Sequence, residues 1–232
     1  QKSRSDIFRP GFSFSSIRLR FRELVPLSLP LTANRVLLGL LQGIEAVSIP
    51  GCLKLYNHST SEALSTYGVL TGMALPCILF PSAITNSVSI MLMPTVAELQ
   101  VKDQASGIRK LLQKVLGCCF LMGLFCCLFF LFFGQLIGQF LFASDLAGNF
   151  IITLAWICPF LYVNGSLLSV LNGFGKTTTS FTINTVGLAI RIGSVFFAIP
   201  VFGIQGYLWG LLISQLAVSI CCSVVLKHLI SA

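Results

Sequence analysis

Long apolar runs with very few charges constrain the fold of this chain more than any other feature of its sequence. The hydrocarbon core of a bilayer is about 30 Å thick, so a run of about 18 or more apolar residues is long enough to cross it as a helix. Several runs in the 232 residues pass this test. Only 9% of the residues are charged, against about a quarter in soluble domains, and the mean hydropathy is +0.91. The sequence therefore argues against a water-soluble fold and predicts an all-α membrane protein.

The predicted architecture is a six-transmembrane-helix bundle that occupies residues 23–232. The expected spans are about Leu24 to Cys52, Ala63 to Ala97, Leu111 to Phe142, Phe150 to Leu171, Phe181 to Phe202 and Ile204 to Leu226. Proline residues at 76, 81 and 94 predict kinks in the second span. Residues 1–22 are polar and basic and are predicted to form a cytoplasmic segment before the first span. Because the chain opens without a Met and this segment runs straight into a span, we expect a fragment of a longer protein.

The distribution of basic residues predicts the orientation of the bundle. Loops on the cytoplasmic side of membrane proteins carry an excess of Lys and Arg. With the amino terminus in the cytoplasm, twelve of the fifteen basic residues lie in cytoplasmic segments and only Lys54 lies in an outer loop. The other two, Arg35 and Arg191, fall within spans. We therefore expect a multi-pass protein of the plasma membrane with both termini in the cytoplasm.

Several other classes of function find little support in the sequence. The net charge of +8 is spread over loops rather than along an aromatic-rich basic stripe, which argues against a nucleic-acid partner. Most of the nine cysteines lie in apolar runs, and His58 and His228 lie toward opposite ends of the chain, so no metal site is predicted. Only one of the seven acidic residues, Glu45, is intramembrane, and no cofactor motif occurs. The chain is therefore predicted to be neither a metalloprotein nor an enzyme.

Four G-x-x-x-G spacings occur within the apolar runs. They are Gly39/Gly43, Gly68/Gly72, Gly134/Gly138 and Gly206/Gly210. Small residues at this spacing let two helices approach closely in a membrane. Intramolecular helix packing is favoured over homodimerisation, because Gly is common in membrane helices.

Three ionisable residues inside spans are the main candidates for function: Arg35, Glu45 and Arg191. Such residues cost about 2.5–3.5 kcal/mol to insert, so they usually face a protein interior or a watery cavity. Asn34 lies about three helical turns before Glu45 on the same face of the first span. We predict that Arg35, Arg191 and Asn34 bind a phosphate-bearing substrate, and that Glu45 binds a coupling cation or proton. The alternative is a structural ion pair, or an arginine that reaches the headgroups.

Four stretches of the chain resemble a known family of membrane proteins. The most specific is YGVLTGMALPCILFPSAITNSVSIMLMPTVAE (Tyr67 to Glu98), which is similar to the eighth spanning helix of the stage V sporulation protein B group of polysaccharide flippases. The resemblance continues in PLSLPLTANRVLLGLLQGIEAVSIP (Pro26 to Pro50), NGFGKTTTS (Asn172 to Ser180) and PVFGIQGYLWGLLISQ (Pro200 to Gln215). This group belongs to the multidrug/oligosaccharidyl-lipid/polysaccharide exporter (MOP) superfamily.

The resemblance implies a transporter with two six-helix lobes that works by alternating access, of which this chain is the carboxyl-terminal lobe. The implied partners are the lipid bilayer, a missing amino-terminal lobe and a lipid-linked saccharide precursor of the cell wall, spore cortex or surface polysaccharide. A cation-coupled multidrug exporter of the same fold is the first alternative. A non-transporting membrane scaffold in envelope assembly is the second.

Overall fold

The computed structural model describes residues 14–57, 59–101 and 105–231, and side chains are described from residue 35 onward, except at a few positions beside the gaps and at the carboxyl end. Residues 1–13, which belong to the predicted cytoplasmic segment 1–22, lie outside the described residues. The chain divides into two units, 1–41 and 42–232, and each is described by itself. The amino-terminal unit consists, where described, of the first part of helix α1.

Every described element is a helix, and no strand occurs among the described residues. The α-helices are α1 (Phe14–Asn57), α2 (Thr60–Val69), α3 (Leu75–Leu79), α4 (Ser82–Val101), α5 (Ala105–Phe142), α6 (Asp145–Ala155), α7 (Cys158–Gly173), α8 (Thr177–Phe197), α9 (Ile199–Phe202) and α10 (Ile204–Ser231). A π-helical turn (Leu70–Ala74) joins α2 to α3. The predicted all-α class is confirmed.

Five of these helical stretches are long and apolar enough to cross a membrane within the described part of the chain. They are Arg35–Tyr56, Thr60–Leu79, Gly107–Phe142, Thr177–Phe197 and Ile204–Leu229. The pair α6 and α7 makes a sixth if it is counted as one span, although it is bent by 54°. Pro159 lies at the first turn of α7, where its missing N–H costs no hydrogen bond. The bend therefore falls where the chain can break at little cost.

The second predicted span is not a continuous α-helix. The π-helical turn precedes Pro76, and a two-residue turn at Phe80 and Pro81 separates α3 from α4, whereas Pro94 lies within unbroken α4. The hydroxyl of Tyr162 on α7 donates to the Ile78 carbonyl at 2.9 Å, beside this turn. A backbone acceptor at a helix break must find a partner inside the protein, because lipid offers none.

Two apolar clusters stabilise the carboxyl-terminal unit. The first surrounds Phe150 and Tyr162 and joins the carboxyl half of α1 with α2, α3, α5, α6 and the start of α10. The second surrounds Val96, Leu171 and Cys222 and joins α4 and the start of α5 to α7, α8 and the end of α10. Helix α7 contributes to both clusters, as do α5, α8 and α10, so the two clusters are joined through several helices.

Several glycines lie where two helices pack closely against each other. A Cβ added at Gly138 of α5 would overlap the backbone of Gly148 on α6, and one added at Gly206 of α10 would lie 2.6 Å from the Ala198 carbonyl oxygen. Gly134/Gly138 and Gly206/Gly210 therefore pack inside the unit as predicted, whereas a Cβ at any residue of Gly39/Gly43 or Gly68/Gly72 would meet no described atom within 4 Å.

Candidate functional site

The candidate site is built around Glu45, an acidic residue near the middle of the apolar stretch Arg35–Tyr56 of α1. Its neighbours in the chain include Ile44 and Val47, which are exposed as expected for a surface that faces lipid. Glu45 itself is turned inward and is only 3% exposed, close to Ile49 at 2%. A buried carboxylate is very costly unless it is paired and hydrogen-bonded, so its partners define the site.

Arg191 of α8 is the charged partner of Glu45. Its Nε donates to Glu45 Oε1 at 2.8 Å, and its Nη2 lies 2.8 Å from Glu45 Oε2. This is the two-pronged geometry for which a guanidinium is suited and an ammonium is not. The Arg191 side chain is 26% exposed, against 4% for Glu45. The pair thus has a fully enclosed acidic end and a basic end that reaches accessible space.

Tyr207 of α10 completes the cluster. Its hydroxyl donates to Glu45 Oε1 at 2.8 Å, and Arg191 Nη2 lies 3.5 Å from the same hydroxyl oxygen. Three donors from two other helices therefore converge on one carboxylate. The three side chains join α1, α8 and α10. Arg191 is 146 residues from Glu45 in the sequence, and Tyr207 is 162 residues from it.

A cavity of about 250 Å³ lies beside this cluster. The residues that line it are Gln42, Glu45, Ala46, Ile49, Tyr67, Thr71, Leu75, Arg191 and Tyr207. The lining also includes Thr71 of the π-helical turn, whose hydroxyl donates to the Tyr67 carbonyl at 2.8 Å. Among the described spans, the cavity brings together charged, hydroxyl and amide groups inside an otherwise apolar bundle.

The predicted site residues have different outcomes. The structure brings Glu45 and Arg191 together, which corresponds to the structural ion pair considered as the alternative for these residues. Arg35 is exposed on α1 and belongs to the amino-terminal unit. Asn34 lies in helix α1, but its side chain is outside the described residues. The substrate-binding and coupling roles of these four residues stay predictions.

Tyr207 is the site residue that sequence reasoning missed. It lies within the apolar stretch that opens α10, where a tyrosine is usually interpreted as core packing or as an interfacial anchor. Tyr207 could have been found from the sequence because a buried Tyr hydroxyl requires a hydrogen-bond partner. Glu45, the one acidic residue predicted inside a span, is a suitable acceptor.

Amide side chains elsewhere in the unit bond between helices, as expected for such residues in membranes. Asn164 Nδ2 of α7 donates to Gln215 of α10, at 3.0 Å to the backbone oxygen and 2.7 Å to Oε1. Within the described residues, no group of three His, Cys, Asp or Glu side chains is arranged to hold a metal ion. The cavity beside Glu45 is therefore the best-supported site in the unit.

Comparison with known proteins gives the fold of the chain and two of its homologues. No family model matches the chain. A solved MOP superfamily transporter from Pyrococcus furiosus, for which a reverse polarity of the binding pocket suggests a different function, matches with a TM-score of 0.66 and 16% identity. The match covers 86% of this chain and 43% of the archaeal one. The chain has the fold of a MOP superfamily transporter.

Two curated relatives of this MOP-fold chain come from Bacillus subtilis. Stage V sporulation protein B is 26% identical over 188 residues, which is 80% of this chain and 36% of that protein. Sporulation protein YkvU is 26% identical over 93 residues, or 40% of this chain and 21% of that protein. The resemblance to the stage V sporulation protein B group is thereby confirmed by homology. The chain spans about a third of the length of the first relative.

Proposed function

We propose that this chain is one lobe of a flippase that moves lipid-linked oligosaccharide or polysaccharide precursors across the plasma membrane by alternating access. Homology and the MOP fold support a membrane transporter, whatever its cargo. The cargo is inferred from the resemblance to the polysaccharide flippase group. Because the chain spans about a third of its first curated relative, we propose that a second lobe completes the central cleft.

The observation that carries the proposal is the charged cavity inside the bundle. A helix bundle that serves only as a scaffold gains nothing from placing an ion pair beside a space of about 250 Å³. Intramembrane ionisable residues are costly and are typically found along substrate pathways. A transporter explains both the empty space and the charged groups that border it.

The proposed chemistry of substrate recognition is phosphate binding by guanidinium. None of the contacts described above uses Nη1 of Arg191, and the side chain is a quarter exposed. We propose that this edge meets a phosphate oxygen of the lipid-linked precursor while Nε and Nη2 hold Glu45. For the amino-terminal unit by itself, the phosphate-binding roles predicted for Arg35 and Asn34 stay proposals.

The test is reconstitution of the full-length protein into vesicles with a fluorescent lipid-linked oligosaccharide. Movement of the label between leaflets should exceed that in protein-free vesicles. Arg191→Lys keeps the charge but loses the planar fork, and we expect its rate to fall by about tenfold, the effect of one lost charge-assisted contact. Lys176→Ala, an exposed change at the turn before α8, is the matched control. Transfer equal to protein-free vesicles would refute the flippase.

A further inference from the structure

We infer that Arg191 is a built-in counter-cation for Glu45 and fills the position that a dissolved monovalent cation would otherwise occupy. The cavity of the native protein therefore binds no sodium ion at Glu45. Loss of the Arg191 side chain should convert the same cavity into a cation site. This inference concerns the cavity and does not depend on which cargo the protein moves.

The carboxylate of Glu45 is nearly saturated with hydrogen-bond donors from the protein. Ionised carboxylates accept through about four lone-pair positions. Three of these are used in Glu45, by Arg191 Nε, Arg191 Nη2 and the Tyr207 hydroxyl, all at 2.8 Å. A cation would have to displace a two-pronged guanidinium from a side chain that is 3% exposed. The closed pair leaves no accessible negative charge for it.

Without Arg191, oxygen atoms would still line the cavity. Hard monovalent and divalent cations are bound by oxygen atoms such as carboxylates, hydroxyls and amide carbonyls. Glu45 and Tyr207 would stay beside the cavity, and Gln42, Tyr67 and Thr71 already line it. Truncation of Arg191 would add the volume of its side chain to this space. An enclosed carboxylate with other oxygen groups nearby is then a site for a small cation.

Without Arg191, Glu45 would be a buried carboxylate with no charged partner. A charge left buried without a partner is strongly destabilising. The truncated variant can relieve this only by binding a cation or a proton from solution. Guanidinium ion is the sharpest probe, because it reproduces the head group that was removed and can donate the same two parallel hydrogen bonds.

The experiment measures thermal unfolding of the purified full chain in detergent, in sodium chloride, guanidinium chloride or choline chloride at equal, millimolar ionic strength. The wild-type midpoint should be the same in all three salts. The midpoint of Arg191→Ala should be lower in choline and should rise with sodium or guanidinium in a saturable way. At a concentration 100-fold above the dissociation constant, the folded-to-unfolded ratio should increase by about 100-fold.

Two controls make the result specific to the pair. Glu45→Gln/Arg191→Gln removes both charges and should not respond to either cation. Arg109→Ala removes an exposed arginine near the start of α5 and should behave as wild type. Radioactive sodium should bind to Arg191→Ala at about one ion per chain, and not to the wild type.

Either of two results would overturn the inference. One is an Arg191→Ala protein that folds and is insensitive to both cations. The other is sodium binding by the wild type that Glu45→Gln abolishes, which would make Glu45 a cation site with Arg191 in place. The second measurement needs no arginine variant, so it decides the matter even if Arg191→Ala does not fold.

Discussion

The ion pair makes an asymmetric prediction about stability. Removing one partner of a buried pair typically costs about 3–5 kcal/mol, because it leaves an uncompensated charge. Arg191→Gln leaves the Glu45 carboxylate unpaired, and its side chain is only 4% exposed. We therefore expect this variant to lose the full cost of about 3–5 kcal/mol of unfolding free energy. Glu45→Gln leaves Arg191, which is 26% exposed and faces the cavity, and we expect a smaller cost of about 1–3 kcal/mol. The arginine variant should therefore be the less stable of the two.

The double variant separates a coupled pair from two independent changes. Neither glutamine is charged, so Glu45→Gln/Arg191→Gln should lose less than the sum of the single variants by about 2–3 kcal/mol. Tyr207→Phe, which keeps the ring and removes one donor to Glu45, should cost about 1 kcal/mol. This smaller loss is the internal reference for a single hydrogen bond in the same cluster.

The measurement is the free energy of unfolding of the full chain in mixed detergent micelles with increasing dodecyl sulfate. Salts should be choline-based, so that no small cation occupies a vacated position. Single losses that add in the double variant to within about 0.5 kcal/mol would refute coupling. A larger loss for Glu45→Gln than for Arg191→Gln would refute the asymmetry argued from exposure.

Three further predictions concern packing and orientation. Tyr162→Phe should destabilise the full chain by about 1–3 kcal/mol, since the carbonyl beside the α3–α4 turn loses its donor, and the same dodecyl sulfate titration measures it. Gly138→Ala should cost more than about 1 kcal/mol because its Cβ overlaps α6, whereas Gly72→Ala should be neutral within about 0.5 kcal/mol; equal effects would contradict the packing. In a cysteine-free background, a membrane-impermeant maleimide added to intact cells should label Lys54→Cys and not Lys176→Cys, and the reverse pattern would invert the proposed topology.

Hydropathy and charge were sufficient to predict the class of fold, because a bilayer imposes one length and one composition on every span. The same signal carries little information about breaks within a span. The run from Phe150 to Leu171 was predicted as one helix, yet the structure has two helices bent by 54° just before Pro159. The prolines at 76 and 81 lie beside the breaks predicted for the second span, but Pro94 lies within unbroken α4. A proline alone therefore does not determine where a helix ends.

The candidate site was predicted in part, for an energetic reason. Insertion cost singles out Glu45 and Arg191 one at a time, because it depends on each side chain and its depth in the membrane. Whether two such residues meet depends on how α1 packs beside α8 and α10, and no local pattern encodes a contact across 146 residues. The sequence therefore predicted different ligands for Arg191 and Glu45, with a structural ion pair as the alternative. The structure shows them bound to each other.

This pairing sets the conditions under which the proposed phosphate-bearing substrate would bind at Arg191. A free guanidinium offers a phosphate a full positive charge, whereas Arg191 beside Glu45 presents a nearly neutral pair with one unengaged edge. An anion that captured Arg191 completely would leave Glu45 buried and unpaired, at a cost that few single contacts repay. Binding that uses only the Nη1 edge avoids this cost and allows easy release, which a carrier requires more than tight binding. If phosphate binds at Arg191 as proposed, the ion pair keeps its affinity moderate, and Glu45→Gln should bind the fluorescent precursor more tightly while moving it more slowly.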